Sequence, residues 1–202
     1  MVQSPRDRSH PEQVRYASRA VSPTKADAWD PNLTWITTRL AIGGRFPVGR
    51  IAYLAEELRV RAVVDLRVED CDDERELTRH GVTFLHLPTE DHCAVSQPML
   101  AQGGAFANRH LDAGQRVLVH CEHGIGRSAT LALCVLVSRG LSPLVALDLA
   151  KSRRPLVSPS PAQYEAWVQW LQGWMVQHPV SWSIPSFDEF KAIAYRHLTD
   201  AT

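Results

Sequence analysis

An α/β fold, with a small central mixed sheet flanked by helices, is predicted from three features of the sequence. Short apolar runs bounded by turn residues, "AVVDLR", "VTFLHLP" and "RVLVH", read as buried strands. Segments with apolar residues at helical spacing lie between them, and after the third run only helical patterns follow. The 202 residues and 45 % hydrophobic content suit one core-bearing domain with tails.

Residues 1–28 are rich in Arg, Ser and Pro and lack apolar periodicity, which predicts a disordered or loosely ordered N-terminal arm. One ordered domain is expected over 29–176. It opens on "WDPNLTWITTRLAIGG", whose alternation predicts two short strands, Leu33–Ile36 and Arg39–Ile42, stopping at Gly43-Gly44. "VGRIAYLAEELRV" has helical spacing, and "DERELTRHG" reads as a helix closed by Gly81. Pro88 is expected to end the strand "VTFLHLP". A helix over 97–112 stops at Gly114, and another, starting near Ile125, stops at Gly140. "SPLVALDLAKSRR" and "SPAQYEAWVQWLQGWM" each open with Ser then Pro, the residues favoured at N-cap and N1. Residues 177–202 form a C-terminal extension with Pro breaks and one amphipathic helix over about 186–198.

Charge narrows the function. Lys plus Arg number 22 and Asp plus Glu number 22, and this balance argues against a nucleic-acid or anionic-membrane binder, which carries a basic excess. No apolar run approaches the length of a membrane span, and "MVQSPRDRSHPEQVRY" lacks the core of a signal peptide. A cytoplasmic location is expected. Cys71, Cys93, Cys121 and Cys134 are far apart, so each is read as a free thiol.

The chemistry gathers in "VLVHCEHGIGRSATLALCVLV", where a polar, glycine-bearing insert separates two apolar runs. Three readings compete. A metal site could use His120, Cys121 and His123, but a zinc site wants a second well-spaced ligand pair, and none is present; no metal is expected. Core packing suits Cys134, on the apolar helix, and not Cys121 among polar neighbours. The third reading is a nucleophile in an anion cradle. Backbone amides at a helix start lack internal acceptors, and the helix dipole adds positive charge. Gly124 and Gly126 let the backbone curl so that amides converge. Arg127 can fork two hydrogen bonds to phosphate oxygens. The same positive field favours the thiolate form of Cys121, which suits phosphomonoester cleavage through a cysteinyl-phosphate.

Cys121, Arg127 and Ser128, with His120 before them, form the pattern HCxxGxxRS. This resembles the signature loop of the cysteine-dependent protein tyrosine phosphatases. "ITTRLAIGG" and "RRPLVSPSPAQ" resemble parts of the dual-specificity branch, and the likeness runs from about Trp29 to Met175. The resemblance implies a dual-specificity phosphatase-like fold, with Cys121 as nucleophile and Arg127 binding phosphate. It implies that the Ser128 hydroxyl eases sulfur departure and that His120 supports the loop. The substrate-binding loop is then Glu122, His123, Gly124, Ile125, Gly126 and Arg127, with the Glu122 and His123 side chains at its rim. The family's general acid lies on a loop about thirty residues before the cysteine. Asp91 in "LPTEDHCAVS" has that spacing and follows a strand; Glu90 is its rival.

Other features receive plainer expectations. Gln163 resembles a water-positioning glutamine of some relatives, but a helix-surface place is the simpler reading. Cys93 is a packing or loop cysteine, or a redox partner of Cys121. "EDCDDERE" reads as a helix start whose acids oppose the dipole; near a site entrance, Asp72 and Asp73 could favour basic peptides. The expected function is metal-independent and cofactor-free dephosphorylation of phosphotyrosine, with phosphoserine and phosphothreonine, in proteins or peptides. The alternatives are the same chemistry on a phosphoinositide, phosphoglucan or RNA 5′ phosphate, and a non-catalytic phosphate-binding module.

Overall fold

The computed structural model describes residues 30–199. The arm expected over 1–28, with Trp29, lies outside the described residues. Strands β1 (Leu33–Trp35) and β2 (Leu40–Gly43) pair antiparallel. Thr37 closes their turn, its hydroxyl oxygen accepting from the amides of Arg39 and Leu40. A 3-10 turn leads to α1 (Ile51–Glu56), followed by β3 (Val60–Arg67), α2 (Glu74–Arg79), β4 (Thr83–Thr89), α3 (Gln97–Asp112) and β5 (Arg116–His120). Helices complete the chain: α4 (Arg127–Ser138), α5 (Pro143–Arg153), α6 (Pro161–Gln177), α7 (Phe187–Ala194) and α8 (Arg196–Thr199).

The sheet order is β1-β2-β5-β3-β4, and every pair except β1–β2 is parallel. It is therefore the mixed sheet expected. Its inner strands β3 and β5 are continuous apolar runs with Val63, Val64, Val117 and Val119 fully buried, as parallel strands covered by helices require. β5 is the middle strand, so the loop after His120 leaves from the centre of the sheet's carboxyl edge, the usual place for a ligand in such sheets.

Pro88 does not end its strand: β4 runs on to Thr89. It is an edge strand, with a neighbour on one side only, so a residue lacking an amide hydrogen removes no ladder bond from the open side. Gly81, Gly114 and Gly140 follow α2, α3 and α4 with φ of 70°, 75° and 98°, the left-handed helix ends expected. The two Ser-Pro starts differ. Ser160 forms a full capping box with Gln163, whereas the Ser142 side chain makes no cap bond.

Helix α4 is buried from Arg127 to Val137, as an apolar-all-round helix must be. Cys134 is at its centre, and burial pushes its thiol well above the usual range, consistent with packing. Among the described residues, the C-terminal extension holds two helices rather than the one expected. Tyr195 leaves helical geometry (φ −110°, ψ 12°), its ring edge-on to Phe190 and its hydroxyl donating to the Pro159 carbonyl. No helix among the described residues is long and apolar enough to cross a membrane.

Candidate active site

The loop between β5 and α4 is a cradle because its carbonyls are drawn outward. Glu122 O accepts from the Arg45 amide (3.0 Å) and Ile125 O from the Ser158 amide (3.1 Å). His123 O and Gly124 O both accept from Arg154, at 2.8 and 2.7 Å. In a trans peptide the next N–H points opposite to the carbonyl, so the amides of His123, Gly124, Ile125 and Gly126 are directed inward. This also delays the helix. It starts at Arg127, not near Ile125, because Ile125 O is committed to Ser158. Gly124 has φ 71°, and a Cβ there would lie 2.5 Å from the Gly43 carbonyl.

The Cys121 sulfur is at the cradle's floor and is 2 % exposed. The Gly124 amide donates to it at 3.3 Å and the Ser128 hydroxyl lies 3.4 Å away. Arg127, equally buried, presents Nη1 and Nη2 to the two oxygens of Glu69 at 2.8 and 2.7 Å, and Nη1 also donates to Thr89 O at 2.8 Å. Its Nε–H is buried with no acceptor among the described residues, a donor left over for an incoming oxyanion. Burial works against the Arg127 charge, but the Glu69 hydrogen bond and the charges on Cys121 and Asp91 hold it above its ordinary range.

Asp91 is on the loop after β4, its Oδ1 3.2 Å from Arg127 Nη2, and lines the same cavity as Cys121. Glu90, the rival, is outside that lining and instead accepts from the Cys93 thiol at 3.8 Å. Cys93 is exposed and faces Glu90. The cavity has a volume of about 140 Å³, with His92, His123, Ile125, Gly126, Ser158 and Gln163 completing its wall. Glu122 is not part of that wall; it pairs with Arg45 at 3.1 Å. A larger groove of about 390 Å³ between α3 and α6, bounded by Leu100, Trp170 and Trp174, has no titratable side chain among its described lining residues.

Three residues of the site differ from or escape the sequence reading. Gln163 is not on the helix surface: it is 1 % exposed, because the N3 position of the capping box turns it back over Gly126. Arg154, whose carbonyl contacts shape the cradle, also binds Asn32 and Thr34 of the first strand region. Glu69 comes from the acidic stretch, which divides its labour. Asp73 caps α2, as expected of a helix start, accepting from the Glu76 amide. Asp72 is buried, against Arg67 (2.6 Å) and His120 Nε2 (2.8 Å), so it offers no carboxylate to a basic peptide. That contact and a ring packing with Phe46 fix His120 beneath the cradle, while its Nδ1 has no partner among the described residues. Asp65, Asp72 and His120 are close enough to share a cation, but Arg67 already takes both carboxylates.

The hydrogen bond from Arg127 holds the Glu69 carboxyl down at about 2. A depressed carboxylate contributes stability that is complete above its unfolded value near 4.5 and is lost as pH falls toward 2. Glu69→Gln is therefore expected to lower kcat/KM for an aryl phosphate by about tenfold at neutral pH. In acid denaturation followed by circular dichroism, the wild-type advantage over the variant should be full above that unfolded value and vanish near pH 2.

Residues 49–172 match the family model described as dual specificity phosphatase, catalytic domain. Among curated proteins, phosphatidylglycerophosphate phosphatase PTPMT1 of Arabidopsis thaliana is 34 % identical over 91 residues, which are 44 % of this chain and 27 % of that protein. Dual specificity protein phosphatase 1 of Mus musculus is 38 % identical over 79 residues, 38 % of this chain and 22 % of that protein. The chain thus spans less than a third of the length of either relative. The crystal structure of PTPMT1 in complex with PI(5)P superposes with a TM-score of 0.68 at 24 % identity, covering 72 % of this chain and 98 % of the other, a likeness of fold.

Proposed function

The chain belongs to the dual specificity phosphatase family, and from that premise we propose that it hydrolyses phosphate monoesters of proteins by way of a cysteinyl-phosphate. The Cys121 thiolate attacks phosphorus; the S–P bond forms as the bond to the leaving oxygen breaks, and Asp91 gives that oxygen its proton. Water then attacks phosphorus, Asp91 takes a proton from it, and the sulfur departs with a hydrogen bond from Ser128. Gln163, above Gly126, is placed to orient that water. Inward amides and Arg127 Nε hold the phosphoryl oxygens throughout, stabilising charge where it develops. No step calls for a metal.

One observation carries the substrate class: the cavity is small, with Cys121 and Asp91 in its lining. At about 140 Å³ it is well under half the size of the groove between α3 and α6, room for one phosphoryl group and the atoms next to it. Its wall carries no lysine or arginine to bind a second phosphate. A small site whose wall has no second cation supports a single phosphate monoester, and on the family's precedent we extend it to phosphotyrosine, phosphoserine and phosphothreonine. The names of the PTPMT1 relatives favour a second reading, a glycerolipid with one terminal phosphate monoester, which the same cavity would accept.

The two are separated by phosphate release from phosphotyrosine and phosphothreonine peptides and from dispersed phosphatidylglycerophosphate, with and without chelator. Protein phosphatase action predicts higher kcat/KM on both peptides and no effect of chelator. A lipid kcat/KM more than about tenfold above the better peptide, a difference of over 1.4 kcal/mol in transition-state binding, would transfer the assignment to the lipid.

A further inference from the structure

The family match ends at residue 172, whereas α7 and α8 lie beyond it and are packed onto the domain. Phe190 of α7 is fully buried, its ring 4.8 Å from that of Tyr164 and 6.1 Å from that of Trp167. Arg196 of α8 pairs with Asp148 and Ser152 of α5. Between α5 and α6 runs a strap, residues 154–160, with a contact to each part of the machinery. Its Ser158 amide holds the cradle carbonyl of Ile125. Its Ser160 hydroxyl donates to the carbonyl of His92, the residue after Asp91, at 2.7 Å.

The C-terminal helices hold this strap from behind. Tyr195 donates its hydroxyl to Pro159 O at 2.7 Å, one residue before Ser160. Buried Lys151 donates to Pro155 O and Val157 O, and His197 Nδ1 of α8 accepts its third hydrogen bond at 2.7 Å. The acid loop needs a restraint of this kind. His92 has φ 58°, a left-handed conformation that a residue with a side chain keeps only when its surroundings impose it. Among the described residues, no other side chain or amide donates to the His92 carbonyl.

We infer that Ser160 is a positioning residue that latches the acid loop, and that Tyr195 and the helices α7 and α8 keep the latch in place. The inference rests on the phosphatase reading with Asp91 as acid, and deepens it. Proton donation matters most when the leaving group is poor, so a displaced Asp91 shows as a steeper dependence of rate on leaving-group basicity. A residue that merely supports the fold would lower all substrates alike.

The test measures kcat for phenyl phosphate, a poor leaving group, and p-nitrophenyl phosphate, a good one. Ser160→Gly keeps a tolerated N-cap for α6 but removes the hydroxyl. It is expected to lose about tenfold on phenyl phosphate and less than about twofold on p-nitrophenyl phosphate, with Ser160→Thr restoring the wild-type ratio. Tyr195→Phe should shift the ratio in the same direction by about threefold, and the double variant should be no worse than Ser160→Gly alone, since both act on one contact. Equal loss on both substrates, or none, overturns the latch. Asp91→Asn run beside them separates the two failures. A steep Asp91→Asn with a flat Ser160→Gly removes the latch alone, and a flat Asp91→Asn removes the acid assignment and the latch with it.

Discussion

Cys121→Ser is expected to lower turnover of an aryl phosphate by on the order of 10⁴-fold or more while leaving phosphate-analogue binding within about threefold. The sulfur is the one strongly nucleophilic atom at the cradle's floor, receiving the Gly124 amide at 3.3 Å and facing the Ser128 hydroxyl at 3.4 Å. A serine hydroxyl has nearly the same shape but stays protonated near neutral pH and is a far weaker nucleophile than a thiolate. The inward amides and Arg127 are untouched by the exchange, so binding of an oxyanion such as tungstate should survive. Steady-state kinetics and calorimetric titration of the variant check both halves. Loss of turnover together with loss of tungstate binding would mean that the substitution collapsed the loop.

Arg127→Lys should cost about 10³-fold in kcat/KM, although it keeps the charge. The guanidinium does three things at once that an ammonium cannot. Nη1 and Nη2 face Glu69 in parallel, Nη1 also takes Thr89 O, and the buried Nε–H has no acceptor among the described residues. A lysine Nζ drawn to the Glu69 carboxylate would leave no oriented donor for phosphate and would strip the buried Thr89 carbonyl of its partner. Most of the loss is expected in kcat, because the oxygens bound by Arg127 gain their charge in the transition state. A variant with wild-type kcat and only a raised KM would contradict that placement.

The loop was legible from sequence because its parts are contiguous. A strand, a glycine-bearing turn and a helix start are all local patterns, and HCxxGxxRS has little room for another meaning. Asp91 was reachable through the family resemblance, which puts an acid about thirty residues before the cysteine, and its place after a strand agreed with that spacing. The supporting residues were not, because each meets its partner across a long stretch of chain. Glu69 reaches Arg127 over 58 positions, and Arg154 reaches Gly124 over 30 and Asn32 over 122. The acidic stretch also had a sufficient local explanation in the cap that Asp73 makes on α2, which concealed the separate tasks of Glu69 and Asp72.

The same distinction runs through the fold. Glycine helix ends at 81, 114 and 140 follow from a single residue's stereochemistry and were readable. That Pro88 lies inside β4 depends on the strand's place at the sheet edge, a property of topology. Gln163 has the polarity of a surface residue but the capping-box position of a buried one, and the position prevailed. The break of the C-terminal helix at Tyr195 coincides with a hydroxyl contact to Pro159, 36 positions away.

Transfer of the phosphoryl group to Cys121 sulfur is the step on which everything else depends. Ser128→Ala should slow the sulfur's departure, so rapid acid quench of that variant with a good aryl phosphate should show a burst of phenol equal to the enzyme present. Peptide mass spectrometry should then find one phosphoryl group on the peptide containing Cys121, and none in Cys121→Ser. Full turnover with no burst and no phosphorylated Cys121, or a phosphoryl group on another residue, would contradict a cysteinyl-phosphate mechanism.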